Sequence, residues 1–326
     1  MDVVLLYIGK ELWLVKRILL DKLSRDFVHI PLSQPYISRK FIIDCLGGRT
    51  RRKYFEFDEK EGQKHGSASI LELFAPSMNE EYFDWVDLFE AITAAKDVFT
   101  MLELGAGNGR WSVFGALAAR AAGKKIGRLG AYEAEPTHYT WTVRHYIDNG
   151  IDPAKHNVVK AAVGPENGMA KFFVGCPSAW YGQSIAPDNS PVTPKTKQLL
   201  QRLLHRENPG DTVIEVGVIS LKSILSGYTY VDFIHMDIQG SELDVIASSI
   251  DELDQKVRKV HIGTHSPDVS ATGGRDVEEK LRQIFNDRHW SCVHDVKALS
   301  TEVRIDGWVT RVCDGIQTWL NPRWQW

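Results

Sequence analysis

The sequence contains few cysteines, and their spacing gives no sign of a disulfide framework. Cys45, Cys176, Cys292 and Cys313 lie far apart and form no CxxC pair. Scattered cysteines of this kind are more typical of a reducing compartment than of a disulfide-stabilised protein. We therefore expect a cytoplasmic location.

A strong excess of charge of either sign is also absent. The chain has 39 lysine and arginine residues against 42 aspartate and glutamate residues, which gives a formal net charge of −3. A general polyanion-binding protein carries a clear positive excess, so we expect no nucleic-acid partner. With 43% hydrophobic and 25% charged residues, the composition is that of an ordinary globular protein and excludes bulk disorder.

No uncharged apolar run in the sequence is long enough to cross a bilayer or to form the apolar part of a signal peptide. The fairly apolar stretch 1–20 is interrupted by five charged residues, Asp2, Lys10, Glu11, Lys16 and Arg17. We predict an amphipathic helix over Asp2–Arg25 that packs on the body of the protein. Attachment to a membrane surface is the alternative, and we expect no stable membrane insertion.

From Val98 onward, short apolar segments alternate with segments of helical periodicity. The predicted strands are Val98–Leu104, Arg128–Glu133, Asn157–Val163, Val231–Asp237 and Val257–Ile262. The predicted helices are Arg110–Ala122, Thr137–Asn149, Ser241–Ser249 and Asp276–Asn286, and two further strands could come from Trp290–His294 and Trp308–Trp319. This alternation predicts an α/β fold with a mostly parallel sheet covered by helices on both faces.

The same pattern divides the chain into an accessory or cap region, residues 1–95, and an α/β domain, residues 96–326. An insertion near residues 170–218 interrupts the alternation with a strand, a loop, a helix near Lys195–Arg206 and another strand. Inserted loops beside the mouth of such a sheet often contact substrates.

The accessory region has two recognisable features besides its first helix. A second helix is predicted over Glu80–Ala95, where apolar residues recur at helical spacing. A basic run, Arg49–Lys53, precedes a predicted strand, Tyr54–Phe57. We interpret the basic run as a solvated loop, with contact to an anionic substrate as the alternative.

The strongest local signal is a glycine-rich loop after the first predicted strand of the α/β domain. Glu103 is followed by Gly105, Gly107, Asn108 and Gly109, and the loop runs directly into the next predicted helix. Glycines let the backbone turn sharply and approach a ligand without a Cβ in the way. A dinucleotide site would need a loop that accepts a pyrophosphate, usually spaced GxGxxG, and this loop has a different spacing.

The acid before the loop distinguishes between two cofactors. S-adenosylmethionine presents an ammonium and a carboxylate near such a loop, and no phosphate, so the Glu103 carboxylate suits its ammonium. The pattern ExGxGxG therefore favours S-adenosylmethionine over NAD. The predicted cofactor contacts are Glu103, Gly105, Gly107, Asn108 and Gly109. A glycine turn without a ligand is the remaining alternative, although three glycines are costly for folding alone.

A second acidic position follows at the end of the next predicted strand, about thirty residues after the loop, which is an ordinary βαβ distance. An acid there can accept hydrogen bonds from both ribose hydroxyls of a nucleoside cofactor. Glu133 ends the apolar segment and is the predicted ribose ligand, with a plain surface carboxylate as the alternative. Glu135, directly before Pro136, is predicted to be the N-cap of the following helix.

At this point the sequence resembles the FkbM family of methyltransferases over roughly Val98–Ser266, about half of the chain. The segments that carry the resemblance after the glycine loop are, in order, Tyr132–Pro136, Asn149-Gly150, Ala161–Gly164 with Asn167-Gly168, and Val231–Glu242. The last of these, VDFIHMDIQGSE, is similar to the family signature DFIKIDVEGAE. His235 stands where the family commonly has lysine, and Gln239 where it commonly has glutamate.

The resemblance implies a class I methyltransferase fold, which is a Rossmann-like sheet of seven strands whose last strand is antiparallel. It also implies methylation of a hydroxyl, often on a sugar, glycan or polyketide, with S-adenosylmethionine as the methyl donor. Ala162, in the segment that resembles the family's third strand, is added to the predicted cofactor contacts.

Two candidate catalytic residues follow the ends of predicted strands, where ligands of open α/β sheets bind. Asp237 ends the fourth strand and His265 follows the fifth. These strands should be adjacent, so the two side chains could flank one acceptor. We predict His265 as the general base, because the pKa of histidine lies near neutrality, and Asp237 as an acceptor ligand or as the residue that orients a histidine. The alternatives are an ordinary loop histidine and a helix cap.

Two other histidines lie in the same strands. His235 shares a strand face with Asp237, and His261 lies inside the fifth strand; both are predicted to be hydrogen-bonded structural residues. Carboxylates and imidazoles suit divalent metals, but the spacing of Asp237, His265, His261 and His235 matches no known metal motif. We therefore do not expect a metal cofactor.

The insertion supplies Trp180, Tyr181 and Gln183, which are predicted to contact the acceptor by stacking and hydrogen bonding, with packing under a long loop as the alternative. The predicted function is thus an S-adenosylmethionine-dependent O-methyltransferase acting on a hydroxyl of a carbohydrate, glycolipid or related natural product. An NAD-binding oxidoreductase and a non-catalytic cofactor-binding module are the alternatives. A small-molecule or glycan acceptor is expected. The aromatic C-terminus, especially Trp319, Trp324 and Trp326, could pack against a second subunit in a homo-oligomer or only against the N-terminal region.

Overall fold

A computed structural model describes residues 23, 26, 27, 29–55, 74–76, 81–175, 183–194, 212–266, 275–305 and 308–324 of the 326-residue chain. Strands β1 to β17 are Tyr36–Ile37, Phe41–Ile43, Arg49–Arg51, Val98–Phe99, Met101–Leu104, Lys125–Ile126, Gly130–Glu133, Asn157–Lys160, Ala162–Gly164, Gly168–Val174, Thr212–Ser220, Val231–Met236, Val257–Thr264, Ser291–Val296, Val303–Ile305, Trp308–Thr310 and Gly315–Leu320. Helices α1 to α6 are Glu81–Ala94, Arg110–Ala121, Pro136–Asp148, Leu221–Ser226, Glu242–Lys256 and Val277–Asp287. Short 3-10 helices span Arg52–Tyr54, Pro153–Lys155 and Pro322–Trp324.

Seven of these strands form one central sheet in the order β14-β17-β13-β12-β5-β7-β8. Strands β8, β7, β5, β12 and β13 are parallel to one another, whereas β17 runs antiparallel to both β13 and β14. This is the expected class I methyltransferase topology, and it confirms the predicted α/β fold with its last strand antiparallel. The order reverses between β5 and β12, so their carboxyl ends form the crevice in which such sheets bind ligands.

Each face of the sheet is covered by its own hydrophobic layer, which explains why the inner strands read as continuous apolar segments. Phe233 of β12 belongs to the layer formed with α1, α2 and α3, where Trp85 stacks on Phe114 with ring centroids 4.6 Å apart. The next residue, Ile234, belongs to the layer formed with α4, α5 and α6. In the second layer Trp319 is fully buried. It is therefore a core residue, and the formation of a homo-oligomer stays a prediction.

The accessory region packs on α3 through the basic run. Arg49–Arg51 forms β3 instead of the predicted loop, because the Arg51 guanidinium makes two hydrogen bonds to the Asp148 carboxylate of α3. The predicted strand over Tyr54–Phe57 is also wrong at its start. Tyr54 ends a 3-10 helix and stacks on Trp141, with ring centroids 4.5 Å apart. The predicted helix over Asp2–Arg25 lies almost entirely outside the described residues.

The insertion adds a second, three-stranded sheet beside the first. Strand β10 pairs antiparallel with β11, which in turn pairs parallel with β9. The single strand predicted over Asn157–Val163 is therefore two strands, β8 and β9, because the chain leaves the central sheet at Ala161 and joins the second one. The predicted helix near Lys195–Arg206 lies outside the described residues. In the part of the chain that the structure describes, no helix combines the length and the apolar character needed to cross a membrane.

Candidate active site

The glycine-rich loop connects β5 to α2 and follows a path that strongly favours glycine. Gly105, Gly107 and Gly109 have φ values of +81°, +55° and +73°, in the left-handed region that side chains disfavour. A Cβ at position 105 would lie 1.8 Å from the carbonyl oxygen of Asp237, and one at position 109 would lie 2.7 Å from Thr142 Cγ2. Gly105 is exposed, although the residues before and after it are buried. The loop therefore presents bare backbone to solvent at the edge of the sheet.

Helix α3 and the accessory region hold this loop from behind. The His145 ring lies between two partners, with Nδ1 3.0 Å from the Asn108 carbonyl oxygen and Nε2 3.0 Å from the Thr50 hydroxyl. Burial lowers the pKa of His145 to about 4, so the ring is neutral and donates from Nδ1 while accepting from Thr50. Asn108 is buried and meets this network through its backbone.

Glu103 supports the loop instead of facing a ligand. Its carboxylate accepts hydrogen bonds from the Trp111 and Ser112 amides, both at 2.9 Å, and from the Ser112 hydroxyl at 2.5 Å. Only 1% of the residue is exposed. The prediction that Glu103 contacts the ammonium of a cofactor therefore loses its basis, because a carboxylate buried against the first turn of α2 has no surface left for a ligand.

Glu133 lies at the end of β7 and is linked directly to the loop. One carboxylate oxygen accepts from the Gly107 amide and the other from the Glu135 amide, both at 2.7 Å. Burial raises the pKa of Glu133 to about 8, although both amide hydrogen bonds act in the opposite direction. Each oxygen retains a lone pair, since a carboxylate accepts about four hydrogen bonds. The Glu135 carboxylate accepts from the His138 amide, which confirms the predicted N-cap of α3.

The two candidate catalytic residues are close together, as the adjacency of β12 and β13 predicts. His265 Nε2 lies 3.5 Å from Asp237 Oδ1, and His265 Nδ1 lies 3.1 Å from Glu242 Oε1. We call Asp237, Glu242 and His265 the edge cluster. His265 and Glu242 are 3% and 0% exposed as residues, whereas the Asp237 side chain is 43% exposed and opens the cluster to solvent. The Asp237 carboxylate accepts a hydrogen bond from the side-chain amide of Gln239 and does not cap α5.

The charge of the edge cluster changes the predicted role of His265. Burial alone would lower the pKa of this imidazole, but Glu242, Asp237 and Asp314 together raise it to about 10. At neutral pH the His265 imidazole is therefore a cation in this cluster, and it has no lone pair free to accept a proton. This removes the reason for which His265 was predicted to be the general base, namely a pKa near neutrality.

His235 and His261 form a separate group with Asp84 of α1, which we call the inner cluster. Asp84 Oδ1 lies 2.6 Å from His235 Nε2 and 3.2 Å from His261 Nε2. Asp87, one turn further along α1, lies 2.8 Å from His261 and 2.6 Å from the Lys259 ammonium. Both histidines are thus hydrogen-bonded buried residues, in agreement with their predicted structural role. The four residues weighed together as metal ligands fall into two clusters.

The predicted acceptor contacts are only partly within the described residues. Trp180 and Tyr181 lie outside them. Gln183 is 8% exposed, and neither end of its amide has a hydrogen-bond partner among the residues that the structure describes. Ala162, the predicted cofactor contact in β9, is buried with Ala134, which directly follows Glu133, and with Phe172 of the inserted sheet. The inserted sheet therefore packs beside the end of β7.

Sequence reasoning missed Glu242, Asp84 and Asp87 as members of these clusters. Glu242 closes the family-like segment, where its Oε1 accepts from the Ile238 and Gly240 amides and fixes the turn after β12. Its position at the start of α5 was the available signal. Asp84 and Asp87 interrupt the apolar stripe of a buried helix at a spacing of three residues, and acids on such a face need buried partners.

Comparison with known proteins decides the family. The model of the Methyltransferase FkbM domain matches residues 103–287, more than half of the 326-residue chain. The chain belongs to this family. It is a methyltransferase domain in which the glycine loop, Glu133 and the edge cluster all lie within the matched segment.

Individual relatives are more distant. A protein of Jannaschia sp. (strain CCS1) named "Putative methyltransferase" is 25% identical over 264 residues, which are 80% of this chain and 85% of the relative. The crystal structure of Methyltransferase FkbM from Methylobacillus flagellatus KT is 16% identical with a TM-score of 0.40, and covers 68% of this chain. This chain spans 44% of that structure, less than half its length.

A SAM-dependent methyltransferase from Aquifex aeolicus is 15% identical with a TM-score of 0.37, covering 81% of this chain and 100% of that one. TM-scores this low add nothing to the topology already described.

Proposed function

We propose that the chain is an S-adenosylmethionine-dependent O-methyltransferase acting on a hydroxyl of a carbohydrate, glycolipid or related natural product. The observation that carries the cofactor assignment is the hydrogen bond from the Gly107 amide to Glu133. This hydrogen bond joins an exposed backbone turn to an acid at the end of a strand. The turn suits the amino-acid tail of the cofactor, and the acid suits its ribose. The glycines of the loop do not have the GxGxxG spacing of a dinucleotide site, so they do not favour NAD.

The residues fit this cofactor at three points. The backbone at Gly105 is exposed and carries no side chain, so the amino-acid tail of the cofactor can approach it closely. Glu133 keeps lone pairs for hydrogen bonds from the ribose hydroxyls. Ala162 and Ala134 offer an apolar surface next to Glu133 for the adenine ring. In this proposal Glu103 acts through the loop, as a positioning residue, and does not contact the cofactor.

When bound, S-adenosylmethionine supplies an electrophilic methyl group and leaves as the neutral thioether. The protein's task is to hold the acceptor oxygen in line with that methyl group and to exclude water, which is where much of the acceleration of such displacements comes from. Asp237 is the one partly exposed carboxylate of the edge cluster, next to the Gly105 turn. We assign Asp237 as the ligand of the acceptor hydroxyl. Its carboxylate takes the hydroxyl proton as the bond between the acceptor oxygen and the methyl carbon forms.

The proposed acceptor class is supported by the polar and aromatic residues of the insertion. Gln183 offers an amide with both a donor and an acceptor free of described partners, which suits a polyhydroxylated ring. Trp180 and Tyr181 are proposed to stack on such a ring. His265 is proposed to assist Asp237 as its neighbour and not as the base, since the surrounding carboxylates keep it charged.

Two measurements test this function. Calorimetry of the full chain should give one site for S-adenosylhomocysteine and no binding of NAD; the reverse would overturn the cofactor assignment. Incubation with methyl-labelled S-adenosylmethionine and panels of sugars and amines should label a sugar hydroxyl. Label on nitrogen alone would contradict O-methylation.

Asp237→Asn should reduce turnover by roughly 10²-fold or more while leaving S-adenosylhomocysteine affinity unchanged, and Gln183→Leu should raise the KM of the acceptor.

A further inference from the structure

We propose that the edge cluster, Asp237, Glu242 and His265, is a binding site for a single divalent metal ion. Each of the three side chains can place a ligand atom within 4.8 Å of the others. The inference deepens the proposed function, on which its catalytic meaning rests, since it gives that methyltransferase site a bound cation beside the acceptor hydroxyl.

The first argument is that the buried imidazole lacks the hydrogen bonds that an ion pair would give it. His265 is 3% exposed, and neither ring nitrogen has a well-aligned hydrogen-bond partner among the described residues, although carboxylate oxygens lie at 3.1 Å and 3.5 Å. An imidazolium held between two carboxylates should direct both N–H groups at their oxygens. A divalent ion bound between these side chains would displace the imidazole proton, and a ring nitrogen would then become a ligand.

The second argument comes from Glu242, which is completely buried yet uses only one of its oxygens. Oε1 accepts from the Ile238 and Gly240 amides, whereas Oε2 has no hydrogen-bond partner. A buried carboxylate oxygen is strongly unfavourable unless a cation or a hydrogen-bond donor meets it. The turn that Oε1 holds fixes this side chain in place, in the way that supporting hydrogen bonds usually orient metal ligands.

The third argument is the local excess of negative charge. Asp237, Glu242 and the nearby Asp314 bring three carboxylates to one imidazole, and among the described residues no lysine or arginine forms an ion pair with any of them. The inner cluster differs in this respect, because Lys259 and two histidines accompany Asp84 and Asp87 there. A divalent ion would balance the charge of the edge cluster.

The geometry also leaves room for coordination by the substrate. Two ligand atoms about 2.1 Å from one ion are separated by roughly 3.0 to 4.2 Å, so small side-chain rotations would bring the three atoms onto one ion. The Asp237 side chain is 43% exposed, which provides an entry path and open positions for water or a hydroxyl. Two carboxylates and one imidazole suit Mn²⁺ or Zn²⁺ better than a thiolate-seeking metal. An ion there would orient and polarise the acceptor oxygen.

The test is metal binding by the full chain after treatment with EDTA. Titration with Mn²⁺, followed by electron paramagnetic resonance, should show one ion per chain, with nitrogen coupling from an imidazole ligand. Glu242→Gln and His265→Asn should each weaken Mn²⁺ binding by roughly tenfold or more, and His265→Asn should remove the nitrogen coupling. Asp251→Asn, an exposed carboxylate on α5, is the matched control and should leave binding unchanged.

S-adenosylhomocysteine affinity, measured in the same samples, separates this proposal from the proposed function and shows that each variant is folded. A chain that binds S-adenosylhomocysteine but neither Mn²⁺, Zn²⁺ nor Mg²⁺ overturns the metal site and leaves the proposed function intact. Mn²⁺ binding that survives both edge-cluster substitutions but disappears in Asp84→Asn would also overturn it, since the ion would then occupy the inner cluster. A chain that binds Mn²⁺ at the edge cluster but not S-adenosylhomocysteine keeps the metal site and loses the function.

Discussion

The carbonyl oxygen of Asp237 lies 1.8 Å from the point where a Cβ at position 105 would be. The glycine loop after β5 and the acidic end of β12 are therefore in direct backbone contact, and no side chain can come between them. This contact places the proposed methyl donor and the proposed acceptor ligand at one edge of the sheet.

We predict that Gly105→Ala destabilises the protein by about 3 kcal/mol or more, because it combines a left-handed φ with a backbone clash. Gly123→Ala is the matched control. Gly123 has φ +72° with nothing within 4 Å of its missing Cβ, so only the backbone strain of roughly 1–2 kcal/mol should appear. Urea denaturation measures both. Equal losses in the two variants would show that the contact with Asp237 has no energetic importance.

Glu103 provides a second prediction, which separates support of the loop from contact with the cofactor. Glu103→Gln removes one acceptor from the first turn of α2 and places an amide NH₂ against a backbone donor, so stability should fall by about 1–3 kcal/mol. Asp276→Asn at the exposed N-cap of α6 should change stability by only about 0.5 kcal/mol or less, since Asn caps as well as Asp. An unaltered stability with a lost cofactor affinity would instead restore Glu103 as a direct ligand.

Glu133 predicts an unusual pH dependence of stability. Its pKa is about 8 in the folded chain against an ordinary value of 4.5, so between these pH values the folded state holds a proton that the unfolded state has released. The free energy of unfolding should therefore decrease as pH rises through this window, by about 1.4 kcal/mol per pH unit at most. Glu133→Gln lacks this titration.

The measurement compares the two proteins by urea denaturation at pH 5.5, 6.5 and 7.5. The stability of Glu133→Gln relative to the natural sequence should rise steadily over this range. A constant difference would mean that Glu133 is ionised throughout, which would contradict its raised pKa.

Helix α1 is predicted to depend on a buried charge at its contact with β13. The Lys259 ammonium lies 2.6 Å from Asp87 and is 3% exposed, so Lys259→Met leaves the Asp87 carboxylate without its nearest cation. We expect a loss of about 3–5 kcal/mol. Lys222→Met, which removes an ammonium that is 68% exposed and pairs with Glu252, should change stability by less than about 1 kcal/mol. Similar effects in thermal denaturation would contradict a structural role for the buried pair.

The sequence was sufficient to predict the elements that local patterns specify. The helix predicted over Arg110–Ala122 matches Arg110–Ala121, and the cap at Glu135 is confirmed. Capping and apolar periodicity depend on residues a few positions apart, so the local sequence is sufficient to predict these helices. The carboxyl-edge location of Asp237 and His265 was also predictable, because alternating strands and helices make the strands parallel, and the resemblance to the family implied that the two strands are neighbours.

Features that depend on distant partners were not predictable. The split between β8 and β9 is decided by pairing with β11, more than fifty residues later. Arg51 enters a strand beside α3 because of Asp148, which is 97 residues away. The pKa of His265 could not be inferred from its residue type, since Glu242 and Asp237 set its charge. Tertiary contacts override local preference at all three positions.

A crystal structure of the full chain with S-adenosylhomocysteine tests the central claim most directly. The account predicts that the amino-acid tail lies against the backbone of Gly105 to Gly109, and that both ribose hydroxyls lie within about 2.5–3.0 Å of the Glu133 carboxylate. The sulfur should then point toward Asp237. A nucleoside bound elsewhere, with the glycine turn and Glu133 free of ligand, would contradict it.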